Sequence, residues 1–174
     1  MSRLGFRGIG PTCRKVECDA GLCRCANMGW LLNFYVLNLY FGGFAVYGFS
    51  VNLKDDFGAV VSRVTEELGK EGFGILTEID VKETLKKKLG VDKRPYKILG
   101  ACNPTLANRA LDADPDIGLL LPCNVVVREE GDGSTTVGFM DPAAVLGLVG
   151  REEISELGTE VRARLERVRD AMHA

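Results

Sequence analysis

Residues 117–140 read IGLLLPCNVVVREEGDGSTTVGFM. Two apolar runs flank the turn-rich tetrad Gly131-Asp132-Gly133-Ser134, the pattern of an antiparallel hairpin. Counting along a strand that starts at Ile117, side chains alternate between faces. Ile117, Leu119, Leu121, Cys123, Val125 and Val127 then share one apolar face. Gly118, Leu120, Pro122, Asn124, Val126 and Arg128 share the other. Cys123 is therefore expected in the core, where a thiol behaves as a small hydrophobe. Pro122 cannot donate to a ladder and signals an edge or a bulge, which could turn Cys123 outward.

Working outward from the hairpin, the same alternation marks Tyr47, Phe49, Val51 and Leu53 as a strand. Asp55 or Asp56 can cap the helix that follows, with Phe57, Val60, Val61, Val64 and Leu68 on one stripe and Gly72 as its stop. FGILTEID, 73–80, is a second strand, with Phe73, Ile75 and Ile79 expected on one side and Glu78 and Asp80 on the other. Asp80 and Glu83 have capping-box spacing and open a short helix that ends at Gly90. PYKILGAC is a third strand, and Asn103-Pro104 starts a helix running to about Asp112. Asp141-Pro142 starts another short helix. The last helix carries Ile154, Leu157, Val161, Leu165, Val168 and Met172 on one stripe, with Arg162, Arg164, Arg167 and Arg169 off it. One-faced strands and amphipathic helices predict an α+β domain, a two-layer α/β sandwich with helices on one face of the sheet.

A chain of 174 residues is long enough for one ordinary domain. The net charge of -2 argues against a nucleic-acid partner. Residues 1–44 differ from residues 45–174. They carry five Lys/Arg against two Asp/Glu, whereas the remainder carries 17 against 22. No charge occurs between Arg24 and Lys54, and residues 28–49 are long enough for a membrane-span candidate preceded by Arg14, Lys15 and Arg24. Asn33, Asn38, Gly42 and Gly43 weaken that reading. Cys13, Cys18, Cys23 and Cys25 have a C-x4-C-x4-C-x-C spacing that fits zinc ligation poorly. The segment reads as a poorly ordered extension foreign to the domain, and Gly42 to Val46 fit a translated ribosome-binding run before a Val start codon. No secretory signal with a small-residue cleavage site is recognisable, so a cytoplasmic location is expected, with membrane anchoring through residues 28–49 as the alternative.

The chemistry available is sparse. Cys102 and Cys123 are the thiols of the body, followed by Asn103 and Asn124. Cys102 precedes a helix N-terminus, which can lower a thiol pKa, and Asn103 can donate to it. Buried structural thiols, a redox pair, and soft-metal or haem ligation are the readings open to them. Two cysteines are too few for a closed metal site unless a dimer shares the ion. Lys86, Lys87, Lys93, Arg94 and Lys97 could hold an anion or form a solvated face. The one histidine, His173, is terminal, so no Ser-His-Asp set can form, and no other acid-base constellation stands out. A ligand- or partner-binding module is expected, with thiol redox or metal binding as the alternative. No G-x-G-x-x-G or Walker spacing indicates a nucleotide loop. The second sheet face, with Leu76, Leu99, Leu120 and Val126 expected on it, suggests a homodimer surface or a surface for a small ligand.

The stretches EGFGILTEIDVKETLKKKLGVDKRPYKILGACNPTLANRAL and DIGLLLPCNVVVREEGDGSTTVGFMDP closely resemble the bacterial and archaeal family called domain of unknown function 302. The resemblance covers about Val46 to Met172 and does not extend to residues 1–44. It implies a compact two-layer fold with a curved, largely antiparallel sheet, and no established reaction. Lys93 stands where an aromatic is common in relatives, and Asn108 where a His or another ring often stands. The second departure leaves the domain without a histidine near its cysteines.

Overall fold

The computed structural model describes residues 16–19, 22–25 and 47–173. Two compact units divide the chain, Met1–Phe44 and Ala45–Ala174. In the first, strands β1 (Val16–Asp19) and β2 (Leu22–Cys25) form an antiparallel pair with Cys18 opposite Cys23. The expected membrane span loses its end to the second unit, because Gly48 and Phe49 belong to strand β3 (Gly48–Leu53). The rest of residues 28–49 lies almost wholly outside the described residues. Among the described residues no helix is long and apolar enough to cross a membrane.

The second unit continues with α1 (Phe57–Lys70), β4 (Gly74–Asp80), α2 (Val81–Leu89), β5 (Tyr96–Cys102) and α3 (Pro104–Ala113). A 3-10 turn over Pro115–Leu120 leads to β6 (Cys123–Glu129), β7 (Thr135–Met140), α4 (Pro142–Gly147) and α5 (Glu152–Ala171). The five strands form one open sheet in the order β3-β7-β6-β5-β4, and every pair is antiparallel. The expected α+β sandwich is therefore present.

Local chemistry sets the element boundaries. Asp56, Asp80, Asn103 and Asp141 each accept a backbone N–H of the helix they precede, satisfying donors that a helix start leaves free. Gly90 closes α2 in the left-handed region, φ 69°, where a side chain would be strained. The α5 stripe is buried as its spacing predicts: Ile154, Leu157, Val161, Leu165, Val168 and Met172 all lie in the core. They meet the inward face of the sheet, which includes Val51, Leu99, Ala101, Val125, Val127, Val137 and Phe139. At one rim Phe49 stacks on Phe139, centroids 5.5 Å apart, and the guanidinium groups of Arg162 and Arg169 cover the Phe49 ring.

Three details differ from the sequence expectation. First, residues 115–120 coil into the 3-10 turn, and the strand starts at Cys123 rather than Ile117. Asp114 caps that turn by accepting the Asp116 N–H, and Pro115 occupies its first position. The peptide bond between Leu121 and Pro122 is cis. Second, a bulge between Ile75 and Thr77 reverses the side-chain parity of β4. Phe73 and Ile75 keep to the core side, but Ile79 pairs with Ile98 and is exposed. Glu78, freed from its expected face, binds the ammonium of Lys97. Third, Leu99 is 1% exposed in the core and is not on the second face, and Leu120 sits in the 3-10 turn against the core.

Candidate functional site

The two thiols of the domain meet a single apolar crevice at the end of the sheet. Ala101 of β5 pairs with Cys123 of β6, so Cys102 and Cys123 are neighbours along the ladder. Phe73, Leu106, Leu121, Leu157 and Val161 close the crevice from α3, α5 and the loops. Its volume is about 20 Å³, room for a water-sized body and far below the roughly 300–1,000 Å³ of sites for organic ligands.

Strand parity places Cys123 inward, as expected, because counting from Cys123 onward gives the same inward set, Cys123, Val125 and Val127. Both thiols line this crevice, although they come from different register sets. Ala101 and Cys123 share the core face, so Cys102 belongs to the alternate set with Gly100, Ile98 and Tyr96. Burial pushes the Cys123 thiol up to about 12, and the nearby Cys102 charge adds to the effect. Burial also raises the Cys102 pKa. A helix N-terminus can lower a thiol pKa, but the net shift at Cys102 is upward, from desolvation. Asn103 Oδ1 accepts the Leu106 N–H as the cap of α3, and its amide nitrogen lies beside Gly72. Asn124 is exposed and pairs across the ladder with Gly100.

The consequence is a pair of thiols that stay protonated at neutral pH. With a nucleophile present only as a trace of thiolate, reactivity is low. Iodoacetamide at pH 8 is expected to label Cys102 slowly and to leave Cys123 unlabelled until the fold opens. Peptide mass spectrometry measures this, and rapid native labelling of Cys123 would contradict its burial. The same shift has a sign in stability. The unfolded thiol ionises near its ordinary value of 9.0 and the folded one near 12, so between these values the unfolded state holds fewer protons. Stability therefore falls as pH rises through that window, and Cys123→Ala should flatten the fall.

The basic residues are split up. Lys86 pairs with Asp92 at 2.6 Å and Lys97 with Glu78, while Arg94 donates to the Glu130 carbonyl at 3.1 Å. Lys87 and Lys93 are exposed and make no ion pair among the described residues. Among the described residues no three His, Cys, Asp or Glu side chains gather as a metal site would need.

The sheet face turned away from the core carries a different character. Tyr96, Ile98 and Val126 are half-buried, Ile79 is exposed, and none of them belongs to the core cluster. Beside them Gly100 permits a close approach: a Cβ there would lie 2.8 Å from Pro122 Cγ and closer still to Thr77 Oγ1. The helix α2 touches β4 and β5 but contributes no buried residue. Of the four residues expected on this face, Val126 alone stands there by strand register; Leu76 is exposed at the bulge. Ile98 stands where Leu99 was expected, because Leu99 and Ala101 take the core side of β5. Ile79 was hidden by the bulge, which no residue type in FGILTEID announces.

Comparison with known proteins agrees with this architecture. A crystal structure of an uncharacterized conserved DUF302 protein from Bacillus stearothermophilus is similar at 32% sequence identity and a TM-score of 0.68, over 72% of this chain and 98% of that one. No curated protein matches the sequence. The family described as Domain of unknown function DUF302 matches residues 49–172, the sheet and helices of the second unit from end to end. This chain belongs to that family.

Proposed function

We propose that residues 45–174 act as a partner-binding module without chemistry of its own, and that its first partner is a second copy of the same chain. The observation that carries this reading is the second sheet face. Ile79, Ile98 and Val126, with Tyr96, line three adjacent strands and lie outside the core cluster. A contiguous apolar strip in a family domain is costly to leave in water. A two-fold pairing of such faces places like residues against like and closes the assembly. Against this, the thiol alternative rests on two groups on neighbouring strands whose pKa values burial raises.

The test is a charge placed in the strip. Val126→Glu is expected to convert a dimer to a monomer in sedimentation velocity, because an unpaired carboxylate would be buried in the interface. Val126 is half-buried in the single chain, so the helical circular dichroism should persist. A wild-type monomer at all concentrations, or a dimer that ignores the substitution, would sink the proposal.

A further inference from the structure

A second surface stands out by charge. Residues 81–97 hold seven Lys/Arg against two Asp/Glu, while the rest of residues 45–174 holds ten against twenty. Six of the eight lysines in 45–174 fall within this one segment, but only one of its nine arginines, Arg94. The segment is α2 and the loop that leaves it. The helix buries no side chain, and its lysines Lys82, Lys87 and Lys88 are exposed, as is Lys93 in the loop. None of these four makes an ion pair among the described residues. Apolar side chains stand exposed in the same segment and the adjoining strand: Leu89 at 70%, Val91 at 42%, Leu76 at 66% and Ile79 at 48%.

We infer that α2 and its exit loop dock on an anionic phospholipid surface. Lysine ammonium groups are compact point charges on flexible stems and suit a diffuse field of negative headgroups; the planar arginine fork suits directed pairing. The arginines of this domain follow that division, since Arg162, Arg164, Arg167 and Arg169 on α5 are committed to carboxylates. A helix with basic residues around its exposed surface and an exposed leucine at its end presents charge to headgroups and hydrocarbon to the boundary beneath them. A polypeptide segment would want a groove, and this convex helix offers none: the apolar crevice is lined from the other end of β5. Duplex nucleic acid would take the lysines but would leave Leu76, Leu89 and Val91 unused. The attraction must fade with salt, because exposed charges are screened beyond a Debye length. This surface is separate from the dimer strip in its charge, although Ile79 borders both.

The experiment is co-sedimentation of the full chain with two kinds of vesicle. One contains phosphatidylcholine and phosphatidylglycerol in equal parts, the other phosphatidylcholine alone. At low salt the chain is expected to bind the anionic vesicles at least about tenfold more tightly than the neutral ones. The triple variant Lys82→Glu, Lys87→Glu, Lys93→Glu should lose that preference with its circular dichroism unchanged, since these exposed side chains make no ion pair or side-chain hydrogen bond among the described residues. Raising salt to about 0.5 M should erase it too. Equal binding to both vesicles would overturn the inference, as would anionic binding that survives charge reversal. So would indifference to vesicles, with or without capture by duplex DNA.

Discussion

Leu165→Ala should lower the stability of the domain by about 2–5 kcal/mol, the range for removing a buried leucine and leaving part of its volume empty. Leu165 is fully buried at 0% exposure, and it sits near the middle of the α5 stripe that covers the sheet. The loss combines the transfer free energy of the deleted carbons with the contacts that the cavity walls forfeit. Denaturant unfolding followed by circular dichroism measures it. Thr159→Ala, on the exposed side of the same helix, serves as the control, because surface substitutions are usually within about 0.5 kcal/mol of neutral. A similar small effect at Leu165 would mean that α5 does not pack on the sheet in solution.

Gly158→Val should cost about 2–3 kcal/mol for the opposite reason, since the site has too little room. Gly158 is buried on α5 where α4 crosses it. A Cβ there would stand 2.9 Å from the Pro142 carbonyl oxygen and 3.3 Å from the Ala143 Cα. Both obstacles are backbone of α4, which is fixed at its start by Asp141 accepting the Ala143 and Ala144 N–H groups. Asp141 is itself held by Arg162 at 2.9 Å. Gly158→Ala should cost less than Gly158→Val, because alanine recovers about 1 kcal/mol of helix propensity. The ordering is the diagnostic, again by denaturant unfolding. An alanine variant more stable than wild type would show that the two helices can part without loss.

These effects also show why some of the fold was readable in the sequence and some was not. The α5 stripe, the four caps and the hairpin were legible because each rests on neighbours in the chain: a period, an Asp or Asn before a helix, a glycine-rich turn. Two boundaries rest on contacts far apart in sequence. The bulge near Leu76 follows from how β4 pairs with β5, and alternation carried through it misplaced Ile79 and Glu78. The run from Ile117 to Leu121 is as apolar as a strand, yet it coils, because Asp114 and Pro115 start a turn and no partner continues the ladder past Cys123. Only the inward direction of Cys123 came through, since counting from Cys123 onward is unaffected by the turn before it.

The candidate site was less legible than the fold. Residue type pointed to Cys102, Cys123 and a basic run, but their chemistry depends on burial and pairing. Desolvation raised both thiols, and Asp92, Glu78 and the Glu130 carbonyl took up part of the positive charge. The second sheet face became visible only once the register fixed which of Ile98 and Leu99 points outward.

Pairing of this face between two copies of the chain has a readout in mass. Light scattering coupled to size exclusion, on the full chain at micromolar concentration, tests it most directly. The expected molar mass is twice the 18.9 kDa of one chain. A mass equal to one chain, unchanged as the concentration rises, would contradict it.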